Sequence, residues 1–309
     1  MEKRTLGNST LETAPLIFGG NVFGWTIDES RSFELLDHFA DRGFNMIDTA
    51  DSYSRWVEGN KGGESETIIG RWMKKRKNRD KMIIATKVGA DLGSGINLRS
   101  SYILKAVESS LERLQTSYID LYQSHYDDAN TRVEETLEAY QKLIEQGKVR
   151  YIGASNMSKA RLQESLETSS VKSYARYETL QPLYNLYDRE IFETEYQQLC
   201  LQHNISVIPY AALASGFLTG KYRTEEDLAK SKRGVSIKKY MTEKGKKIIA
   251  TLNTIAEKYN ARPSQVSIAW LVAQPSIAAP IASATNKEQL DELLDAIELK
   301  ISPSDLQRL

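Results

Sequence analysis

The chain of 309 residues predicts an α/β fold: a closed (β/α)8 barrel of the TIM type with an N-terminal hairpin and extra loop helices, in one domain over 1–309. Three observations carry that reading. About eight apolar strand segments alternate with helical segments, with no low-complexity repeat and no linker between them. The strands are short and finish on polar residues, as in barrels whose sites lie at the carboxyl face. After the first strand stands Gly19-Gly20-Asn21-Val22-Phe23-Gly24, which does not fit G-x-G-x-x-G, so a doubly wound open sheet is disfavoured.

The segments follow in order. Thr5-Leu6 and Leu11-Glu12 flank the turn-forming Gly7-Asn8-Ser9, which predicts a hairpin within residues 3–17. Leu16-Ile17-Phe18 is a brief strand broken by Gly19-Gly20. Asp28 can cap a helix in which Phe33, Leu36 and Ala40 recur at helical spacing until Gly43. Phe44, Met46 and Ile47 begin the strand that ends at Asp48. A loop with Trp56 and Gly62-Gly63 leads to a helix marked by Glu66, Ile69 and Met73. The strand from Met82 to Lys87 precedes a helix with Ile103, Val107, Leu111 and Leu114 on one face. The strand from Ile119 to His125 precedes a helix with Val133, Leu137, Tyr140 and Ile144, stopped at Gly147.

The alternation continues through a strand from Val149 to Ala154, ending in Ser155-Asn156, and a helix with Leu162 and Leu166. Tyr177 to Gln181 is a short strand stopped by Pro182. A helix over 190–203 leads to the strand from Ile205 to Tyr210. A basic stretch from Lys230 to Lys247 interrupts the pattern before helices near 243–259 and 264–273. Ile277 to Ile281 is the last strand, and Leu290, Leu294 and Ile297 mark the closing helix.

Composition narrows the function classes. Lys+Arg and Asp+Glu are both 41, so the net charge is zero and favours neither nucleic acid nor acidic membranes. No apolar run reaches the ~18 residues of a membrane span, and the N-terminus lacks the apolar core of a signal peptide. The single cysteine, Cys200, excludes an intramolecular disulfide and reads as a small buried hydrophobe. With only three histidines beside it, a zinc site is disfavoured. The expectation is a soluble cytoplasmic enzyme without a metal, acting on a small molecule.

Three strands each end on a different ionisable residue, Asp48, Lys87 and His125, and Tyr53 follows a short loop after Asp48. Singly, each has an ordinary reading: a loop cap, a structural tyrosine, or strand ends satisfied by solvent. Together they make one chemical unit. A carboxylate at a buried strand end needs a cationic or hydrogen-bonding partner. Lys87, held cationic by Asp48, would stabilise the phenolate of Tyr53 and lower its pKa from about 10. Tyr53 could then give a proton to a developing alkoxide while His125 orients the carbonyl oxygen. A lysine at a barrel strand end could instead be the amine nucleophile of a Schiff-base lyase. Gly216-Phe217-Leu218-Thr219-Gly220-Lys221 is one residue short of a phosphate loop, and Tyr222 replaces the magnesium-binding Ser or Thr. Such a turn could still cradle a pyrophosphate through backbone N–H groups. Gly153-Ala154-Ser155-Asn156 lacks the second glycine of a nucleophile elbow, which disfavours a serine hydrolase.

With these residues in view, the chain resembles the aldo-keto reductases over nearly all its length. The matching stretches are Gly43 to Tyr53, Ala85-Thr86-Lys87, His125 after its strand, Gly147 to Asn156, and Gln181 with Tyr184-Asn185. The resemblance implies a (β/α)8 barrel, with Tyr53 as general acid assisted by Asp48, Lys87 and His125. It implies that Ser155, Asn156 and Gln181 hold the carboxamide of NADPH while Tyr210 stacks on its ring, beside Gly20 and Asn21. Leu213, Ser215, Gly216 and Lys221 would follow the pyrophosphate, and Ser283, Thr285 and Gln289 the adenosine end. Thr285 stands where many members carry an arginine for the 2′-phosphate, and Asn21 replaces a frequent tryptophan. The basic segment with Lys232, Arg233, Lys238 and Lys239 is expected to supply the missing cation. Phe23, Trp25, Trp56 and Tyr126 are expected to line the carbonyl-substrate pocket with Tyr53 and His125. A non-catalytic subunit that senses nicotinamide, as some relatives are, would keep the cofactor face without proton delivery.

Overall fold

Leu6 and Leu11 meet at the turn of an antiparallel pair, β1 (Arg4–Thr5) and β2 (Glu12–Thr13), with the Leu6 N–H donating to Leu11 O at 3.0 Å. Both leucines are buried in one cluster with Ile17, Met46, Ile83, Leu121 and Ile208, so the hairpin packs against the residues that line the barrel interior. The computed structural model describes residues 1–230 and 234–309.

Beyond the hairpin, β3 (Ile17–Gly19), β4 (Met46–Asp48), β5 (Ile83–Val88), β6 (Ile119–Ser124), β7 (Val149–Ser155), β8 (Tyr177–Gln181) and β9 (Ser206–Val207) pair in parallel in sequence order. The last strand, β10 (Ile281–Ala282), returns to pair with β3. The ring closes between β9 and β10 through isolated backbone bonds. Ala278 N–H donates to Val207 O, and Ile281 N–H donates to Pro209 O, each at 2.9 Å. This is the expected eight-stranded parallel barrel. The last two strands are shorter than their apolar runs suggest, because Pro209 and Pro280 have no N–H to extend a ladder.

Around the sheet lie α1 (Glu29–Asp41), α2 (Glu64–Arg76), α3 (Ser100–Leu114), α4 (Val133–Glu145), α5 (Lys159–Lys172) and α6 (Gln197–Gln202). They are followed by the four-residue α7 (Gly234–Ile237), then α8 (Glu243–Lys258), α9 (Pro263–Val272), α10 (Lys287–Asp295) and α11 (Pro303–Leu306). Asp28 caps α1 as expected, accepting from the Arg31 N–H at 2.8 Å, and Gly43 ends the turn beyond it at φ 85°. The helix expected over 190–203 carries a π-helical turn at Phe192–Tyr196. Among the described residues, no helix is long and apolar enough to cross a membrane, and no three His, Cys, Asp or Glu cluster as metal ligands.

The large core fills the space between sheet and helices. Ile47, Ile84, Val88, Tyr122 and Ile152 face it from the strands. Residues alternating with these enter the barrel. Gly153 sits on that inner face, where a Cβ would lie only 2.2 Å from Thr179 Oγ1 and 3.1 Å from Gln123 Cγ. The absence of a side chain there gives the upper polar layer its room.

Candidate active site

Period-two alternation puts Met46 and Asp48 of β4 on the inner face, with Ile83, Ala85 and Lys87 of β5 beside them. Lys87 is fully buried, and its three ammonium hydrogens all have acceptors nearby. Nζ lies 2.7 Å from Asp48 Oδ2, 2.8 Å from the Thr49 carbonyl and 2.9 Å from Tyr53 Oη. Asp48 Oδ2 also accepts from Tyr53 Oη at 3.3 Å. Its Oδ1 accepts from Gln181 Nε2 at 2.8 Å and Gln123 Nε2 at 3.3 Å. A desolvated ion pair is tolerable only when its remaining donors and acceptors are satisfied in this way.

The electrostatics correct one expectation. Burial pushes the Tyr53 phenol well above its usual pKa, and the Asp48 carboxylate beside it adds to the rise. The lowering expected from Lys87 is outweighed, although Nζ sits on the phenol oxygen. Tyr53 is therefore a protonated phenol, part of its surface open at the base of the opening. Burial also draws Lys87 down, opposed by the charge and hydrogen bond of Asp48. His125 is pushed well below its ordinary value, first by burial and then by the Lys87 charge. A neutral imidazole keeps one N–H to offer.

The His125 ring lies 6.0 Å from the Tyr53 ring, edge to face, and stacks on Tyr126 at 4.8 Å. Trp56, 52% exposed, is 6.2 Å from Tyr53 and 5.5 Å from Trp25. With Tyr126, 40% exposed, these rings rim the opening. Phe23 does not join them. Its side chain is fully buried against Phe18, 5.3 Å between centroids, and belongs to the core.

On the other side, Ser155 Oγ donates to Gln181 O at 2.9 Å. Asn156, in the left-handed region at φ 47°, donates to the His125 carbonyl at 3.0 Å, and Tyr210 Oη donates to Asn156 Oδ1 at 3.0 Å. Gly20 packs against the Asp48 carbonyl, and Ser283 Oγ lies 2.7 Å from Asn21 Oδ1 and 2.8 Å from Gly19 O. The structure thus joins Asn21 near the start of the barrel to Ser283 near its end.

After β9, Ala214, Ser215 and Gly216 have φ of 48°, 59° and 105°. Two non-glycine residues in that region are costly, and such strain clusters where a ligand is clamped. Successive amides in turns of this kind form concave anion cradles. Leu213 precedes this turn, its carbonyl accepting from the Gly216 N–H at 2.8 Å, and exposed Lys221 follows with Nζ 5.1 Å from the Tyr222 ring centre. Thr285 donates to Gln289 Oε1 from its amide and from its hydroxyl, each at 3.0 Å. Lys238 is 3.5 Å from Glu225 and Lys239 lies over Tyr240, so both have partners already. Lys232 and Arg233 lie outside the described residues. The partly exposed ring of Tyr210 and the strained turn with its backbone amides fit a nicotinamide dinucleotide.

Gln123 was missed from sequence, although it stands two residues before His125 and faces the same side of β6.

The model of the Aldo/keto reductase family matches residues 15–309. A versiconal hemiacetal acetate reductase of Aspergillus parasiticus is 32% identical, covering 100% of this chain and 96% of its own length. The aldo-keto reductase yakc [NADP(+)] of Schizosaccharomyces pombe is 30% identical over 99% of this chain and 89% of its own length. The aldo-keto reductase YhdN of Bacillus subtilis is 30% identical over 99% and 91%.

Proposed function

We propose, since this chain belongs to the aldo-keto reductase family of oxidoreductases, that it reduces aldehydes or ketones to alcohols with NADPH. The observation that carries the reading is the Lys87 ammonium, held at once by Asp48 and Tyr53 at 2.7 and 2.9 Å. NADPH, when bound, would supply a hydride; the protein's own residues handle the proton. Tyr53, kept protonated by its surroundings, donates it from Oη to the alkoxide oxygen that forms on the substrate. The phenolate left behind is stabilised by Lys87, which Asp48 keeps cationic in a place where burial alone would strip its charge. Neutral His125 orients the carbonyl oxygen. Trp25, Trp56 and Tyr126 present aromatic faces to the substrate's organic portion.

Ser155, Asn156 and Gln181 would hold the carboxamide and Tyr210 the ring, with Gly20 and Asn21 alongside. Leu213, Ser215, Gly216 and Lys221 would hold the pyrophosphate, and Ser283, Thr285 and Gln289 the adenosine end. Residues 283–286 include no carboxylate to repel a 2′-phosphate. Thr285 offers only neutral donors, so NADPH is preferred by a narrower margin than an arginine would give. One of the relatives carries NADP(+) in its name. A lyase reading is weakened because Lys87 is spent on three acceptors and has no lone pair to attack with.

Fluorescence titration with NADPH and NADH, followed by an aldehyde panel monitored at the nicotinamide absorbance, tests the proposal. NADPH is expected to bind more tightly and to be consumed. Equal affinities, or tighter NADH, overturn the cofactor assignment. Tight binding with no aldehyde reduced would favour the sensing subunit, and borohydride trapping of substrate on Lys87 would favour the lyase.

A further inference from the structure

Asp51 stands two residues before Tyr53 and has no part in the proton chemistry described above. It is 4% exposed, and neither carboxyl oxygen has a hydrogen-bond partner. The Ser52 amide turns its positive end toward the carboxyl without forming a well-aligned bond. The main chain at Asp51 is firmly held. Its N–H donates to the Lys87 carbonyl at 3.3 Å, and Gly62 packs so close that a Cβ there would lie 2.8 Å from Asp51 O.

The Asp51 main chain is fixed, and the cations that face its carboxyl are already engaged elsewhere. From α2 it faces Glu66, a fully buried carboxylate that already accepts from Thr86 Oγ1 at 2.5 Å and Arg113 Nε at 2.7 Å. Arg113 comes from α3 and is committed to Glu66 and Ser110. Lys87 faces it from β5, committed to Asp48, Thr49 and Tyr53. The phenols of Tyr102 on α3, and Tyr122 and Tyr140 beyond, also feel its charge, and the buried Tyr122 hydroxyl has no partner of its own. An unpaired carboxylate in such a place costs several kcal/mol, while a neutral acid costs far less.

We propose that Asp51 is a positioning residue for the Lys87–Tyr53 pair that serves as a neutral carboxylic acid, its ionisation switching carbonyl reduction down. The inference rests on the proposed reductase reading. Ionised Asp51 would place a second negative charge beside Lys87, reducing the positive field left to stabilise the Tyr53 phenolate. Burial, reinforced by Glu66, pushes the Asp51 carboxyl up to about 7, so the switch falls in the neutral range. Its effect on stability has a definite direction. The folded form holds the proton more tightly than the unfolded chain, so Asp51 favours folding less as pH rises from about 4 towards 7.

The experiment measures kcat for aldehyde reduction and melting temperature from pH 5 to 8, in the wild type and in Asp51→Asn. One titration centred near 7 gives about a tenfold fall in wild-type kcat between pH 6 and 8. In Asp51→Asn that ratio is expected to fall towards one, and the variant's melting temperature should gain on wild type as pH rises. Asp51→Ser carries the same expectations and serves if the amide does not fold. An unchanged kcat ratio in a folded, active variant overturns the inference. A melting difference independent of pH overturns it too, without any need for turnover. Absence of reduction in the wild type would fail the reductase reading instead, and the melting arm would still decide whether Asp51 is neutral.

Discussion

On β4, Met46 and Asp48 are two residues apart on one inner face, and Ile83 and Lys87 share the inner face of β5. The same pair of strands therefore lines two unlike rooms. Below, Leu6, Leu11, Ile17, Met46, Ile83, Leu121 and Ile208 form an apolar plug sealed by the hairpin. Above, Lys87, Gln123 and Gln181 all donate to the Asp48 carboxylate. The plug is stabilised by removal of apolar surface from water, a non-directional gain that survives swaps of similar volume. The polar layer is stable only because each member satisfies another, so losing one leaves a buried group stranded. The same strands thus line one room that accepts apolar swaps of similar volume and one whose members depend on each other.

The sharpest way to separate the rooms is Tyr53→Phe. Turnover should fall at least ~10²–10⁴-fold, with cofactor binding kept; near-normal aldehyde reduction would end its role as the acid. Next comes Asp48→Ala, which strands the Lys87 ammonium at a cost of about 3–5 kcal/mol and lowers turnover as well. Lys87→Met should chiefly remove turnover, because Asp48 keeps donors in Gln181, Gln123 and Tyr53. Full activity and wild-type melting in Asp48→Ala would show that the two do not act as a buried pair. In the lower room, Met46→Ala should cost about 2–5 kcal/mol in urea denaturation, with kcat per folded molecule maintained. A large kcat loss there would erase the distinction between the rooms. The smallest effect belongs to Gln123→Leu, about 1.5–3 kcal/mol for one bond to a charged acceptor, since Gln181 still holds Asp48 Oδ1. A Gln123 variant as stable as wild type would mean that Gln181 alone satisfies that oxygen.

Much of this was legible in the sequence because two periods are readable there. The helical faces around Leu36, Leu111 and Leu137, and the strand ends at Asp48, Lys87 and His125, follow from repeat spacing and from abrupt changes of polarity. Phe33 and Ala40, however, lie at the edge of a ridge centred on Leu35, Leu36 and Phe39. What spacing cannot show is the balance of opposing fields. Lys87 beside Tyr53 suggested a lowered phenol pKa, but burial and Asp48 together reverse the direction. Nor does an aromatic residue in a loop reveal which way it turns. Phe23 and Trp25 are neighbours in the chain, yet Phe23 packs inward on Phe18 while Trp25 meets Trp56 at the opening. Gln123 escaped because an amide inside an apolar strand looks neutral until its acceptor is known.

The closure of the ring has a consequence of its own. Between β9 and β10 the barrel is joined by isolated bonds at Ala278 and Ile281, where the other strand pairs have ladders. This seam is the thinnest stretch of the wall. Tyr210 immediately follows Pro209 on one side of it, and Ser283 follows β10 on the other. A dinucleotide bound as proposed would span the seam like a staple, touching both lips at once. Ligand that binds only the closed form adds its binding free energy to that form. Saturating cofactor would then do more than supply hydride: it would complete the hoop that the polypeptide leaves weakly fastened.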